Sequence, residues 1–249
     1  MAFHNVLRSA RHPITRWALL VICAFLGLQL FFLTKIALMA RIAPESTAFE
    51  RSQAWQILQA KQRLPWRQTW VPYNKISDQL KRAVIASEDD IFAQHDGVQW
   101  EAIEKAWTKN AKAELQASRA AQKNPVVKVV GGSTITQQLA KNLFLAGERT
   151  FLRKGQEFVL TLMLEALLDK QRILELYLNH VEWGEGIFGA EAAAQHYFSK
   201  SAYQLSAWEA GRLAVMLPRP KHYQKFPLSE YLAGRTEIIL TRMPRAQLP

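Results

Sequence analysis

The chain has 249 residues, 49% of them apolar and 21% charged, which is enough for a buried core and excludes a disordered chain. Its formal net charge of +11 predicts an anionic partner, namely nucleic acid, an anionic membrane surface or a phosphorylated substrate. The single cysteine, Cys23, excludes an intramolecular disulfide and a cysteine-rich metal site.

The first forty residues contain a run that predicts a transmembrane helix. Trp17 to Thr34 carries no charge, and the run continues past Lys35 to residue 40, long enough to cross roughly 30 Å of hydrocarbon. Basic residues without any acid precede it, which predicts a cytoplasmic tail at 1–16, an anchor at 17–40 and an exported body. A cleaved signal peptide is the alternative, but the run is long for a signal core and lacks a small-x-small cleavage pattern. An exported body favours an anionic lipid or a phosphorylated lipid headgroup over nucleic acid as the partner.

The chain after the anchor is predicted to be mainly α-helical. Residues 41–71 are expected to form a polar stalk and a proline-broken connector, followed by a domain at 72–249. Between Lys105 and Lys128 there are six Lys or Arg and one acid, so this segment is either a solvated linker or a functional basic segment. No run predicts a strand with comparable strength.

Periodicity and capping residues give the helix positions. Ser77 is a predicted N-cap, and Ser206 with Glu209 forms a capping box for a later helix. Beyond the helix that follows Ser77, helices are predicted at Thr134 to about Leu145, Arg153 to Leu168, Gln171 to Asn179, Ala190 to Phe198 and Ala207 to Leu217.

The stretch "GGSTITQQLAKNLF" has two interpretations. Thr134 and Gln137 have capping-box spacing, so the stretch predicts a well-capped helix. Helix N-termini also bind anions, and glycines allow a ligand close to the backbone. Gln138 and Lys141 would lie with Gln137 on the polar side of this helix, opposite its apolar face. A phosphate or pyrophosphate site is therefore the second interpretation.

The stretch "VIASEDDIFAQHDG" places a carboxylate at the end of an apolar stripe. Glu88 follows Leu80 by eight and Val84 by four. Withdrawal from water would raise its pKa and make it a proton acceptor near neutral pH, whereas a helix-end acid in solvent would have no such role. His95, before Asp96 and Gly97, is predicted to stabilise a turn.

The stretch "RKGQEFVLTLMLEALL" places three charges at the start of an apolar helix. An ion pair between Arg153 and Glu157, four residues apart, is expected. Because so apolar a helix is buried, the charged cluster with Lys154 would face a cleft or an interface. Together with Glu88 and Lys141, this set suits glycosyl transfer with a pyrophosphate leaving group.

The motifs "EDDIFAQHDG", "GGSTITQQLAKN", "RKGQE" and "RILELYLNHVEWGEGIFGAEAAAQHYF" resemble, in order, those of the peptidoglycan glycosyltransferase family. That family includes the transglycosylase domain of bifunctional penicillin-binding proteins. The resemblance extends from about Pro72 to Tyr223, and no Ser-x-x-Lys motif of a transpeptidase occurs. It implies a lysozyme-like bilobed helical glycosyltransferase domain behind a single N-terminal transmembrane helix, in the inner membrane with the catalytic domain in the periplasm.

The resemblance also implies roles for individual residues. Glu88 matches the general base that deprotonates lipid II, the acceptor, and Glu157 matches a second essential glutamate near the pyrophosphate of the donor, the growing lipid-linked glycan. The family's phosphate-binding cations are matched by Lys141, Arg153 and Lys154. The residues that would line the same cleft are Ser133, Thr134, Gln137, Gln138 and Asn142. A divalent cation, Mg or Mn, is associated with the family, and Asp89 would be its contact. Other cell-wall synthesis or division proteins are further expected partners.

Two alternatives remain at this point. A lytic or hydrolytic enzyme on a lysozyme-like scaffold would not need the cationic cluster, and a non-catalytic membrane-anchored scaffold would not need both glutamates.

Overall fold

A computed structural model describes residues 13–100, 104, 133–145 and 150–249. The basic segment predicted between Lys105 and Lys128 and the glycines of the "GGST" stretch lie outside the described residues. The chain divides into two compact units, Met1–Ala43 and Pro44–Pro249.

The first unit contains helix α1, Pro13–Met39. Its 27 residues span about 40 Å at about 1.5 Å per residue. In the part of the chain that the structure describes, it is the one helix long and apolar enough to cross a membrane, judged by length and composition alone. It covers the predicted anchor at 17–40 except for residue 40.

The second unit is mainly α-helical, which confirms the predicted fold class. Its helices are α2 Ala48–Lys61, α3 Asp78–Glu88, α4 Ile135–Phe144, α5 Phe151–Leu167, α6 Lys170–His180, α7 Ala190–Phe198, α8 Ala207–Met216, α9 Pro220–Lys225 and α10 Glu230–Arg242. The core side of α3 is fully buried at Leu80, Val84 and Ile85. Helix α3 packs on α8, which also contacts α10, and α4 packs on α5 and α6.

Three of the predicted helix starts are confirmed by their caps. The Ser77 hydroxyl accepts a hydrogen bond from the Gln79 amide, 3.2 Å away, at the start of α3. Complete capping boxes begin α4, at Thr134 and Gln137, and α8, at Ser206 and Glu209. These capping residues determine where the helices begin, because the first backbone N–H groups of a helix have no acceptor within the helix and need one elsewhere.

The domain boundary predicted at residue 72 is corrected to Pro44. Glu50 of α2 is buried, and its carboxylate lies 2.7 Å from His180 Nδ1 and accepts a 2.8 Å bond from Gln68 Nε2. Residues 44–71 are therefore packed on the domain and do not form a stalk. The sequence did not predict this packing because α2 is polar, and two of its three buried side chains are Glu50 and Gln53.

A small sheet, which periodicity did not predict, also holds this segment. Its order is β1-β3-β2, with β1 Arg67–Gln68 parallel to β3 Ile187–Phe188 and β2 Glu182–Gly184 antiparallel to β3. The turn between β2 and β3 contains Gly186 at φ +71°, where a Cβ would lie 2.0 Å from the Pro65 carbonyl oxygen. Only glycine fits this close approach.

Glu182 of β2 gives a pH-dependent contribution to stability. Burial raises the pKa of its carboxyl from 4.5 to about 7, although Lys221 Nζ lies 3.4 Å away. The folded state therefore holds a proton that the unfolded chain releases, and the free energy of unfolding falls as pH rises from 4.5 to about 7.

Glu182→Gln is expected to remove this fall, because the amide does not ionise. The variant should gain stability relative to the parent between pH 5 and pH 8, measured as the thermal unfolding midpoint of the full chain in detergent. If the difference in unfolding midpoint between the two proteins is the same at pH 5 and at pH 8, the carboxyl of Glu182 has the same pKa in the folded and the unfolded chain, and the prediction is wrong.

Candidate active site

Glu88 lies at the C-terminal end of α3, half-buried at the end of the predicted apolar stripe. Its Oε2 accepts a 2.9 Å hydrogen bond from Gln138 Nε2, and its Oε1 accepts a 3.4 Å bond from Ser87 Oγ. Burial raises the pKa of the carboxyl, while these two hydrogen bonds lower it and the charge of Asp89 raises it. The structure therefore favours the proton acceptor over the solvated acid.

Asp89 is buried and caps the N-terminus of α4. Its Oδ2 accepts a 3.0 Å hydrogen bond from the Ile135 amide. Its Oδ1 accepts one from Gln99 Nε2 and lies 2.8 Å from His95 Nε2. A carboxylate at a helix N-terminus is favoured by the free N–H groups and the helix dipole. Part of the predicted anion site is thus filled by the protein's own carboxylate.

His95 holds the turn, as predicted. Its Nδ1 lies 3.0 Å from the Gly97 amide, while its Nε2 faces Asp89. An amide N–H can only donate, so Nδ1 accepts, and the proton on Nε2 points to the Asp89 carboxylate.

The remaining cap of α4 is made by Thr134 and Gln137. The Thr134 hydroxyl accepts from the Gln137 amide at 3.1 Å and donates to the Gly97 carbonyl at 2.6 Å. Gln137 Oε1 accepts from the Thr134 amide at 3.1 Å, and both side chains are buried. The capped-helix interpretation is confirmed, and the Thr134 hydroxyl and the Gln137 side-chain oxygen form hydrogen bonds inside the fold. Their contact with substrate stays a prediction.

The other predicted residues on α4 differ in exposure. Ser133 and Lys141 are exposed, Gln138 is half-buried and Asn142 is buried. Lys141, three residues after Gln138 on the same helix, therefore presents an accessible side chain near this partner of Glu88.

Asp89 does not fit the predicted divalent cation in this arrangement. Mg and Mn bind through oxygen lone pairs, and both Asp89 oxygens already face N–H donors. Among the described residues, no group of three His, Cys, Asp or Glu side chains could hold a metal ion. The divalent-cation requirement therefore stays a prediction.

Tyr177 of α6 belongs to the site, although the sequence did not single it out. Its hydroxyl donates a 3.0 Å hydrogen bond to Gln138 Oε1, so a chain of two hydrogen bonds leads from Tyr177 through the Gln138 amide to Glu88. Burial raises the pKa of Tyr177, and the charges of Glu88 and Asp89 raise it further, which keeps the phenol protonated as a donor. The sequence shows only that Tyr177 lies in a largely apolar helical stretch, and this does not indicate which group its hydroxyl contacts.

Tyr177→Phe is expected to lower kcat with little change in KM. Without the phenol, Gln138 is a weaker donor to Glu88, so the pKa of Glu88 rises and the acidic limb of the activity–pH profile moves to higher pH. The oxygen of the half-buried Gln138 would also lose its partner, which costs up to about 1–3 kcal/mol of stability.

Tyr73→Phe is the matched control. Tyr73 has a buried hydroxyl without a hydrogen-bond partner among the described residues. Its removal should leave the pH profile unchanged, and an identical pH response of both variants would contradict the role of Tyr177.

The second group of predicted residues lies at the start of α5. Glu157 is 4% exposed, and its carboxylate accepts a 3.0 Å bond from Arg153 Nη1 and a bond from Lys154 Nζ. This confirms the predicted ion pair. Arg153 Nε is buried and has no hydrogen-bond partner in the described part of the chain. Two cations share one carboxylate, so the group keeps a positive charge and a free donor for an anionic ligand.

Contacts of α5 with α4 and with the loop after Glu88 connect the two groups. Thr136 Oγ1 donates to Glu165 Oε1 at 2.6 Å, and Lys170 Nζ donates to the same oxygen at 2.8 Å. Gly97, at φ +82°, lies so close to α5 that a Cβ would be 2.7 Å from Thr161 Cγ2. The loop after Glu88 is thereby fixed against the helix that carries Glu157.

Glycosyl transfer with a pyrophosphate leaving group needs a proton acceptor and cationic groups. This helical domain carries a half-buried, hydrogen-bonded carboxylate on α3 and a cationic group at the start of α5. The sequence pattern of the Transglycosylase family matches residues 56–244, and the chain belongs to this family.

Similar proteins cover nearly the whole chain. A biosynthetic peptidoglycan transglycosylase of Burkholderia thailandensis is 49% identical over 97% of this chain and 91% of its own length. Proteins of the same name from Janthinobacterium sp. and Herminiimonas arsenicoxydans are 52% and 51% identical, each over 94% of this chain and 96% of its own length.

Proposed function

We infer that this protein polymerises lipid II into peptidoglycan glycan strands with inversion, releasing undecaprenyl pyrophosphate. Membership of the Transglycosylase family and relatives that are biosynthetic peptidoglycan transglycosylases support this function. No observation favours hydrolysis or a non-catalytic scaffold.

The proposed reaction is one displacement. Glu88 takes the proton from the 4-hydroxyl of the acceptor lipid II, and this oxygen bonds to the anomeric carbon of the donor. The bond from that carbon to the pyrophosphate oxygen breaks, and the pyrophosphate leaves with the electron pair. An α-linked donor thus yields a β-1,4 bond, because the attack occurs on the face opposite the leaving group.

The cationic side chains would stabilise the departing pyrophosphate. Arg153 and Lys154 lie in the first turn of α5, beside the buried Glu157, and Lys141 is exposed on the neighbouring helix. Charge-assisted donors placed where negative charge develops lower the barrier. Glu157 holds the two α5 cations in place.

The observation that carries this proposal is the environment of Glu88. A carboxylate that is partly withdrawn from water, with a raised pKa and one oxygen held by Gln138, is suited to accept a proton near neutral pH.

The experiment is an assay of the full chain in detergent with purified lipid II and, separately, with preformed glycan. Formation of lysozyme-sensitive polymer from lipid II is expected. Fragmentation of preformed glycan would instead show the lytic alternative, and the absence of both products would show the scaffold.

The proposed location is the inner membrane, with the N-terminus in the cytoplasm and the catalytic unit in the periplasm. The apolar helix α1 and the basic residues before it support this orientation. Protease added to spheroplasts should digest residues 44–249, and full protection would reverse the orientation.

Interaction with other cell-wall or division proteins is likewise a proposal.

A further inference from the structure

A pocket of about 390 Å³ lies between the end of α7, α8 and the segment that leads into α10. Its walls are mostly apolar and include Phe198, Trp208, Met216 and Leu228. Leu228 is 93% exposed and Trp208 is also exposed, so large apolar groups stand open to solvent at this place. Exposed apolar and aromatic residues around a concave site are typical of binding surfaces.

Arg212 places a positive charge in the wall of the pocket. Its guanidinium lies over the Trp208 ring, 5.2 Å from the centroid. Of the pocket residues that the structure describes, it is the only charged one. It has no carboxylate partner among the described residues, whereas Arg153 and Arg172 each pair with a glutamate. Burial lowers the pKa of the Arg212 guanidinium, as expected for a partly buried cation without a counter-ion.

The pocket lies on the side of α8 away from Glu88. Trp208, Arg212 and Met216 follow one another at intervals of four and share one face of the helix. Ala214, whose carbonyl oxygen is 3.5 Å from Ser87 Oγ, is about 200° around the helix from Arg212, at about 100° per residue. An occupant of the pocket would therefore leave the catalytic carboxylate accessible.

We propose that this pocket docks a segment of a partner protein in which an apolar side chain stands next to a carboxylate. The apolar side chain would enter between the aromatic walls, and the carboxylate would receive two parallel hydrogen bonds from the planar guanidinium of Arg212. Aromatic residues and arginine are the groups that dominate binding energy at protein interfaces. A lipid headgroup is less well matched, because an anionic membrane surface attracts clusters of cations and this wall offers one.

The test uses the full chain in detergent and fluorescein-labelled hexapeptides, acetylated at the N-terminus, that carry one Leu or Phe beside one Glu. A matched panel carries Gln in place of Glu. Fluorescence polarisation is expected to show binding of Glu peptides about tenfold or more tighter than of Gln peptides, since one partner is charged.

Arg212→Gln should abolish the difference between the two panels without changing the rate of polymer formation. Arg219→Gln, which removes an exposed arginine three residues beyond α8, is the matched control and should preserve it. Equal affinity for both panels, or no binding of either, would overturn the proposal.

Competition separates a protein partner from other anions. Inorganic phosphate and vesicles of phosphatidylglycerol are expected to compete weakly and independently of Arg212. Arg212-dependent binding of the vesicles in the absence of peptide binding would assign the pocket to a lipid and refute the protein partner.

Discussion

Glu88→Gln is expected to reduce lipid II polymerisation by about 10²–10⁴-fold, the usual effect of losing a general base. The amide has nearly the same shape, and its oxygen can still accept the hydrogen bond from Gln138, so the fold should be preserved. The loss should appear in kcat and in kcat/KM, measured with lipid II, while the thermal unfolding midpoint stays close to that of the parent.

The pH dependence of the parent gives a second measurement for the same residue. Because burial raises the pKa of Glu88, activity should fall on acidification already above the range of an ordinary glutamate. Glu182→Gln is the matched control, since this second buried carboxylate with a raised pKa lies outside the site. Near-normal turnover by Glu88→Gln, or an equal loss in Glu182→Gln, would remove Glu88 from the role of base.

Lys141→Ala is expected to lower turnover by about 10²–10³-fold, equivalent to the roughly 2.7–4 kcal/mol of one donor to a developing anion. Lys141 is exposed and three residues beyond Gln138 on α4, so a pyrophosphate could reach it beside Glu88. Because the side chain is exposed, the free energy of unfolding should change by less than about 0.5 kcal/mol. Lys141→Arg should recover more activity than Lys141→Gln, since it keeps the charge but changes the donor geometry.

Lys225→Ala controls for the removal of a surface charge, because Lys225 is also an exposed lysine in the last turn of a helix. It should leave turnover unchanged. A Lys141→Ala protein that unfolds more easily but keeps normal activity per folded molecule would restrict the α4 stretch to a structural role.

The helices and their caps were predictable because their signals are local. Thr134 with Gln137 and Ser206 with Glu209 meet within one turn, and the stripe of α3 repeats with the helical period. Glu88 could be proposed as a buried acid for the same reason.

The missed features depend on residues far apart in the chain. Asp89 caps a helix that starts 46 residues later, and strand β1 pairs with β3, whose residues come 120 positions later in the chain. Strands of two or three residues carry no periodic pattern, so the sheet left no signal in the sequence. The packing of residues 44–71 rests on buried polar side chains, which a hydrophobic pattern cannot reveal.

The amide of Gln138 makes the two oxygens of Glu88 chemically unequal. Its carbonyl end receives the Tyr177 hydroxyl, so its NH₂ end is directed to Glu88 Oε2 and the amide cannot turn over without breaking both bonds. Within the described part of the chain, Oε1 has only the longer contact from Ser87, at 3.4 Å. The proton from the attacking hydroxyl should therefore arrive on Oε1, and the acceptor sugar must approach from that side of the carboxylate. The orientation of one amide would thus select the direction from which a growing strand meets its next unit.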